Sequence, residues 1–237
     1  LFAKEGSNGW FAHEAAEILP EGAACPFCGG SSFTKETNTL DGWFDSGSTH
    51  FAVLEDREGM RWPADVYLEG GDQYRGWFQS SLLTAVGAKG QGAPYRQVLT
   101  HGWTVDGEGK AMHKSLGNVI SPDEMVKKYG GDIVRLWAAS SDYHADVRCS
   151  DAIFKQLSDS YRKIRNTARI LLANLGDFNP DTDAVAPDGL AELDKWMLSR
   201  YNGLIRECRE AYDCYEFHNA YHAINNFCAI DLSKLYV

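Results

Sequence analysis

The sequence predicts an α/β fold, with a small ribbon before it and a bundle of helices after it, because three zones of different pattern follow one another. Residues 1–40 are short apolar pieces broken by Gly and Ser. Residues 41–150 alternate strand-like and helix-like segments, and residues 151–237 have the three- and four-residue apolar spacing of helices. We therefore expect three parts with these boundaries.

The first zone carries Cys-Pro-Phe-Cys-Gly-Gly at residues 25–30. So few apolar residues, interrupted so often, cannot bury a sizeable core by themselves. We expect this zone to form a small ribbon around the cysteine knuckle.

The middle zone predicts a parallel α/β sheet. Residues 65–68 and 97–100 are short apolar strands, and residues 103–105 a third. Between the first two, Asp72 is placed to cap a helix that extends to about residue 88. A strand, a helix and a second strand in this order favour parallel pairing.

The last zone predicts helices only. Apolar residues recur at helical spacing from 153 to 175, from 196 to 212 and from 217 to 232. A polar stretch at 181–189 separates the first of these helices from the second.

Composition excludes several classes of protein. The chain is 44% hydrophobic and 24% charged, with 11 Phe, 11 Tyr and 7 Trp, which excludes a disordered or fibrous protein. No apolar run approaches the roughly 18 residues of a membrane span. The net charge of −10 argues against non-specific binding to nucleic acids or to anionic membranes.

The two ends predict a piece of a longer protein. The chain starts Leu1-Phe2-Ala3-Lys4, without an initiator Met or a signal peptide pattern, and its last residues are still in a helical pattern.

The six cysteines are too sparse for a disulfide scaffold, and we expect a reducing, cytoplasmic setting. Cys25 and Cys28 have the spacing of half a zinc site, since structural zinc takes four ligands, commonly from two such knuckles. Within this chain two free thiols are the favoured interpretation, because no second knuckle is present, whereas bound zinc is favoured for an intact protein. The other four cysteines are expected to be buried helix residues.

The loop after the third predicted strand, residues 106–118, indicates phosphoryl chemistry. It is rich in glycine and contains Lys110, Lys114 and Ser115. A lysine on a flexible stem can follow charge that moves toward a leaving pyrophosphate. A solvated hairpin that happens to contain lysines is an equally good interpretation of this pattern alone.

Two further segments carry candidate site residues. Glu69, Gly70, Asp72 and Gln73 follow the first strand, where open α/β sheets bind ligands, and a carboxylate there can hold an ammonium group or a ribose hydroxyl. Trp43 lies beside a polar turn and could form one wall of an apolar pocket, although aromatic residues are more often core.

Four blocks in this order resemble the isoleucyl-tRNA synthetases, which are class I aminoacyl-tRNA synthetases, and the resemblance covers essentially the whole chain. The block that ends at Phe78 is the most specific of them. The blocks are Trp43-Phe-Asp-Ser-Gly-Ser48, Leu68-Glu-Gly-Gly-Asp-Gln-Tyr-Arg-Gly-Trp-Phe78, Thr100-His-Gly102 and Met112-His-Lys-Ser-Leu-Gly-Asn118.

The resemblance implies the second half of a Rossmann-type nucleotide-binding fold at residues 41–150. Residues 1–40 would be the returning stalk of the connective insertion, and residues 151–237 the stem-contact region with the start of the anticodon-binding bundle. The implied reaction joins isoleucine to tRNA(Ile) through an adenylate made from ATP with Mg²⁺. The implied parent protein is a cytoplasmic monomer that holds Zn²⁺ once a second cysteine pair completes the knuckle.

The resemblance also implies roles for single residues. Lys114 matches the second lysine of the family's Lys-Met-Ser-Lys-Ser loop and Ser115 its last serine. Ala111 replaces the first lysine, so that Lys110 is the candidate to act in its place, and His113 replaces the first serine. The remaining matches are Glu69, Gly70, Asp72, Gln73, His101 and Gly102 for ATP and the adenylate, and Trp43 and Trp77 for the walls of the isoleucine pocket.

Two features of the family are missing. No histidine stands in a His-x-Gly-His motif, and the editing domain is absent apart from its stalk. We therefore expect the isolated chain to be inactive. A non-catalytic, synthetase-derived module that binds tRNA or adenylate is the alternative. A zinc-ribbon interaction protein would explain Cys25 and Cys28 but not the ordered blocks.

Residues 155–169 contain five basic side chains against one acid. Such a local excess could contact tRNA phosphates despite the acidic total, or could be an ordinary solvated helix face.

Overall fold

The computed structural model describes all 237 residues, which form two compact units. One unit comprises residues 1–62 and 76–94, and the other comprises residues 63–75 and 95–237. None of the helices combines the length and the apolar character that a membrane crossing requires.

The unit of residues 1–62 and 76–94 is helical, and its helices are short. It consists of α1 (Phe2–Glu5), α2 (Gly9–Ala12), α3 (Ala15–Ile18), α4 (Gly42–Gly47), a π-helical segment (His50–Glu55), α5 (Trp77–Leu83) and a second π-helical segment (Thr84–Ala88).

Residues 1–40 contain no strand, and so the predicted ribbon is not confirmed. The apolar pieces form single helical turns, and α3 begins with a capping box between Glu14 and Glu17. The indole N–H of Trp10 donates to the Glu36 carbonyl (2.9 Å), and Lys35 donates to the Trp10 carbonyl (3.0 Å). Hydrogen bonds from side chains to the backbone, and not a β-sheet, therefore join the distant parts of this segment.

The unit of residues 63–75 and 95–237 holds all the strands and the long helices. Its elements are β1 (Ala64–Gly70), a 3₁₀ turn (Gly71–Arg75), β2 (Tyr95–His101), β3 (Thr104–Val105), a 3₁₀ turn (Lys114–Leu116), α6 (Pro122–Tyr129), α7 (Gly131–Ser140), β4 (Val147–Arg148), α8 (Asp151–Ala173), α9 (Pro180–Asp183), a 3₁₀ turn (Pro187–Gly189), α10 (Glu192–Asp213), α11 (Phe217–Asn226) and a π-helical segment (Phe227–Tyr236).

The predicted parallel pairing is confirmed for β1 and β2, which run from Ala64 opposite Tyr95 to Gly70 opposite His101. The third predicted strand does not join them. It is β3, which pairs in parallel with β4, a strand that the sequence analysis did not predict. Two residues carry no alternation from which β4 could have been recognised.

The predicted start of the helix from Asp72 to residue 88 is wrong. Asp72 lies in the 3₁₀ turn, and α5 begins only at Trp77 after Gly76, whose φ and ψ are −120° and −115°. No side chain caps α5. The polar residues that follow β1 therefore lie in this turn at the end of the strand, and not in the helix as predicted.

The all-helical prediction for the last zone is confirmed. Two buried clusters organise it, one around Phe154 and Leu157 of α8 and one around Met197 of α10 and Phe227. The cysteine prediction is partly wrong. Cys149 is buried, but it precedes α8 instead of lying within a helix, and Cys214 is exposed where α10 ends.

Candidate functional site

The carboxyl ends of β1 and β2 form the edge on which most of the predicted site residues lie. Gly70 ends β1 directly opposite His101 at the end of β2. A Cβ atom on Gly70 would lie 2.5 Å from Oδ1 of Asp72 and 3.8 Å from Cε1 of His101. The absence of a side chain at residue 70 is therefore what lets Asp72 fold back over the strand end.

Two more predicted residues lie at this edge. Oε2 of Glu69 accepts the N–H of Gly70 at 3.3 Å, and the side-chain amide of Gln73 donates to Oδ2 of Asp72 at 3.2 Å. Glu69 and Asp72 are both exposed. The edge thus presents two carboxylates and one amide to solvent, groups that bind ammonium and hydroxyl groups.

A loop that the sequence analysis did not single out holds His101 and Gly102 in place. The N–H of Gly102 donates to the Tyr143 carbonyl (2.9 Å), and the N–H of Trp103 donates to Oδ1 of Asp146 (2.8 Å). A Cβ on Gly102 would lie 2.5 Å from both C and O of Ala145. Nothing in the sequence pattern indicates this contact, because the two segments are more than forty residues apart.

A small cavity opens beside the strand end. Its volume is about 160 Å³, and the residues that line it include His101, Gly102, Trp137 and Tyr143. His101 donates from Nδ1 to the Gly102 carbonyl at 2.8 Å, because that carbonyl can only accept.

The loop of residues 106–118 is closed at its base by Asp106 and Asn118. Oδ1 of Asp106 accepts the backbone N–H of Glu108 (3.0 Å) and of Lys110 (2.9 Å), and Oδ2 accepts the side-chain amide of Asn118 (2.8 Å). Asn118 also accepts the N–H of His113 at 2.9 Å. The loop does begin as a hairpin, as one interpretation predicted, and the side chains of Asp106 and Asn118 hold its two ends together.

The same bonds lower the pKa of Asp106, the Asn118 amide first and the Lys110 N–H next. A carboxyl with a lowered pKa in the folded chain stabilises the fold above its unfolded pKa. It ceases to do so as the pH falls through the folded value. At neutral pH the base of the loop is therefore fully charged and bonded.

The two lysines of the loop differ in their surroundings. Lys110 pairs with Oε2 of Glu108 at 2.7 Å, whereas Lys114 is exposed and makes no ion pair in the structure. Lys114 and Ser115 start the 3₁₀ turn, which ends at Gly117 with φ +66°, a conformation that favours glycine. Lys114 is thus the ammonium group that the loop offers to an anionic ligand.

The two candidate pocket aromatics lie on neighbouring helices of the other unit. Oδ1 of Asp41 accepts the N–H of Trp43 at 2.8 Å and so caps α4. The indole N–H of Trp77, at the start of α5, donates to the Ser46 carbonyl at 2.9 Å. Trp43 remains 48% exposed, so its ring is available to a ligand.

Cys25 and Cys28 form a tight turn that suits a metal ligand. The N–H of Cys25 donates to the Gly30 carbonyl, and the N–H of Gly29 donates to the Cys25 carbonyl, both at 2.9 Å. Bonds from the backbone N–H of Cys28 and of Phe27 lower the pKa of Cys25, which favours the thiolate that metals bind. No group of three or more potential metal ligands occurs in the structure, so these two cysteines alone do not make a complete metal site.

Comparison with known proteins identifies the family. The family described as tRNA synthetases class I (I, L, M and V) matches residues 1–150, and the anticodon-binding domain of tRNA ligase matches residues 194–237. The chain belongs to the class I tRNA synthetases. The resemblance drawn from the four sequence blocks is therefore confirmed.

Several isoleucine–tRNA ligases are similar to the whole chain. That of Caldicellulosiruptor bescii is 59% identical over 237 residues, which are 100% of this chain and 26% of the relative. That of Moorella thermoacetica is 56% identical over 237 residues, 100% of this chain and 25% of the relative. The chain thus spans about a quarter of the length of these class I synthetases.

Two solved synthetase structures share the fold. A ternary complex of LeuRS, tRNA and LeuAMS from Agrobacterium radiobacter K84 has a TM-score of 0.72 at 21% identity, over 87% of this chain and 28% of that one. Methionyl-tRNA synthetase of Mycobacterium tuberculosis, in complex with methionyl-adenylate, has a TM-score of 0.64 at 26% identity. That match covers 79% of this chain and 38% of the other. The mixed α/β class I synthetase fold is thereby confirmed.

Proposed function

We propose that the protein containing this chain is an isoleucine–tRNA ligase, which activates isoleucine with ATP and transfers it from the adenylate to tRNA(Ile). The observation that carries the proposal is the strand edge, where Asp72 and His101 both lie close to the backbone of Gly70, next to Glu69. The isoleucine–tRNA ligases that match the whole chain support the choice of amino acid.

At this edge, Glu69, Gly70, Asp72 and Gln73 hold the adenylate. An aminoacyl-adenylate keeps the α-ammonium group of its amino acid and both ribose hydroxyls, and carboxylate and amide oxygens accept bonds from these groups. His101 and Gly102 face the adenosine, and the adjacent cavity of about 160 Å³ supports a site for part of the base.

Trp43 and Trp77 form walls of the isoleucine pocket. Such a pocket separates isoleucine from valine by only about 1–3 kcal/mol, because the two side chains differ by one methylene, and the isoleucyl-tRNA synthetases are themselves an established example of this general range. The exposure of Trp43 and the helix-to-helix bond made by Trp77 support this placement.

The loop of residues 106–118 binds the ATP phosphates. In activation, the isoleucine carboxylate attacks the α-phosphorus, the bond to the bridging oxygen breaks, and pyrophosphate leaves with the negative charge. Lys114 neutralises that charge, Ser115 donates a hydrogen bond beside it, and Lys110 contributes a second ammonium group. Mg²⁺ accompanies ATP as part of the substrate.

We propose that Cys25 and Cys28 are half of a zinc site that a second cysteine pair completes in the intact protein. The bound metal would tie the stalk together and would take no part in the reaction. We expect Cys25→Ser to remove one zinc ion per molecule, measured by elemental analysis of the purified intact protein. Cys214→Ser, at an exposed site elsewhere, is the matched control. Equal zinc in wild type and Cys25→Ser would refute this assignment.

Residues 1–237 alone do not catalyse activation under this proposal, because this sequence has no His-x-Gly-His motif. The helical region, with the basic face of α8, contacts tRNA(Ile), and the parent protein is a cytoplasmic monomer. A non-catalytic module that binds tRNA or adenylate is the competing interpretation, and it predicts no exchange even in the intact polypeptide.

The decisive test is amino-acid-dependent ATP–pyrophosphate exchange by the intact polypeptide that contains this segment. We expect exchange with isoleucine, slower exchange with valine, and none above background with leucine or methionine. Exchange with leucine or methionine instead would refute the choice of amino acid. The absence of exchange with all four would favour the non-catalytic module.

A further inference from the structure

His50 is the most deeply buried histidine of the chain and belongs to none of the sites described above. It is 1% exposed and lies at the start of a π-helical segment three residues after α4. Its Nε2 lies 3.0 Å from the hydroxyl oxygen of Thr84, and its Nδ1 is buried without a hydrogen-bond partner. A buried ring with one satisfied nitrogen needs an explanation, because such an arrangement costs free energy.

The hydroxyl group of Thr84 has one proton to donate, and three carbonyl oxygens lie close enough to accept it. Its oxygen is 2.9 Å from the Ser80 carbonyl, 3.1 Å from the Ser81 carbonyl and 3.0 Å from the Gly47 carbonyl. The first two carbonyls belong to the helix that Thr84 extends, and only Gly47 lies across the interface on α4. Which carbonyl receives the single proton therefore decides whether Thr84 joins the two helices.

His50 restricts that choice. Burial lowers its pKa, with a further lowering by Lys89 and an opposing effect of Glu55, so the ring is neutral at pH 7 and has one N–H. Because the carbonyls around Thr84 only accept, the Thr84 proton belongs to one of them and the Nε2–H of His50 donates to the Thr84 oxygen. This donation occupies a lone pair of the Thr84 oxygen, so the hydroxyl proton points to one of the three carbonyls, and the Gly47 carbonyl is within its reach at 3.0 Å.

The two tryptophans lie at the same interface between α4 and α5 that the Thr84 hydroxyl group bridges. The Ser46 carbonyl, one residue before Gly47, accepts the indole N–H of Trp77, and the Trp43 carbonyl accepts the hydroxyl of Ser46 at 3.2 Å. A Cβ on Gly47 would lie 2.8 Å from the backbone carbon of Ser80, so α4 and α5 are in direct backbone contact. The Thr84 bond holds the end of α4 at this distance.

We propose that His50 is a positioning residue for the isoleucine pocket, acting through Thr84 to hold Gly47 of α4 against α5 and so to set the spacing of Trp43 and Trp77. This inference rests on the proposed function, since it requires that these two tryptophans enclose the amino-acid side chain. His50 itself touches no substrate.

The test compares paired variants of the intact polypeptide. His50→Leu removes the donor, whereas His50→Gln keeps an N–H that reaches the position of Nε2. Thr84→Val removes the hydroxyl group at nearly constant shape, whereas Thr84→Ser keeps it. KM for isoleucine, KM for ATP and the preference for isoleucine over valine are measured by pyrophosphate exchange, and Tm is measured alongside.

We expect His50→Leu and Thr84→Val to raise KM for isoleucine about fivefold to tenfold, the effect of one lost hydrogen bond, while KM for ATP stays at the wild-type value. The preference for isoleucine over valine falls, and His50→Gln and Thr84→Ser recover most of both losses. If His50→Leu does not fold, the Thr84 pair gives the answer.

Two results would overturn the proposal. One is an unchanged KM for isoleucine in both His50→Leu and Thr84→Val. The other is an equal rise of KM for isoleucine and for ATP together with a lower Tm, which is the mark of a merely structural role. A wild-type protein without isoleucine-dependent exchange would refute the proposed function and this inference together, whereas an active wild type with neutral variants would refute the inference alone.

Discussion

Lys114→Ala should lower isoleucine-dependent ATP–pyrophosphate exchange in the intact protein by about 100-fold to 1,000-fold in kcat, the range seen when one charge-stabilising donor is removed from a transition state. Lys114 makes no ion pair within the chain, and the loop that carries it is closed at the base by Asp106 and Asn118. The ammonium group is therefore free for the charge that develops on pyrophosphate.

Substitutions of two other lysines serve as controls for Lys114→Ala. Lys127→Ala, an exposed position on α6, should leave exchange unchanged. Lys110→Ala should cost less than Lys114→Ala, because Lys110 already shares its charge with Glu108. If Lys110→Ala proved the more damaging of the two loop variants, the transition-state role would belong to the lysine before Ala111, and the assignment of Lys114 would be wrong.

Gly102→Ala should destabilise the chain by roughly 1–3 kcal/mol and raise KM for ATP, because the new methyl group meets atoms that cannot move aside. Its Cβ would lie 2.5 Å from both C and O of Ala145 and 2.7 Å from N of Asp146, all of them backbone atoms. Relief requires that the end of β2 and the loop of residues 143–146 separate. That separation would break the bond from Trp103 to Asp146 and displace His101.

Chemical denaturation and the KM for ATP measure the two effects of Gly102→Ala. Gly87→Ala is the matched control, because nothing lies within 4 Å of a Cβ at Gly87 and its φ is not in the left-handed region. That substitution should be neutral or stabilising by about 0.4–1 kcal/mol. A stable Gly102→Ala variant with an unchanged KM for ATP would show that this strand end does not face the nucleotide.

The strands and long helices could be predicted where their patterns are long enough to be periodic. β1, β2, α8, α10 and α11 satisfy this condition, and each of the four blocks that identify the family is a continuous run of residues. The start of α5 could not be predicted in the same way. Asp72 is a good capping residue, but the backbone conformation of Gly76 keeps the helix from starting before Trp77.

The short elements and the residues that support the site escaped prediction for a different reason. β4 has two residues, Asp146 bonds to a backbone group 43 positions away, and His50 reaches Thr84 across 34 positions. A local pattern has no information about such pairs, because a one-dimensional window does not contain both members.

The sequence by itself determined the family, the α/β class and the helical last zone, and it supplied the candidate site residues. These depend on local order along the chain. Only the tertiary structure decided that Gly70 lets Asp72 lie over the strand end, that Asn118 closes the lysine loop, and that His50 lies within hydrogen-bond distance of Thr84. The physical reason is that each is a short-range contact, either a close approach of a few ångströms or a hydrogen bond. Such contacts exist only once folding has brought groups that are separated in sequence to that distance.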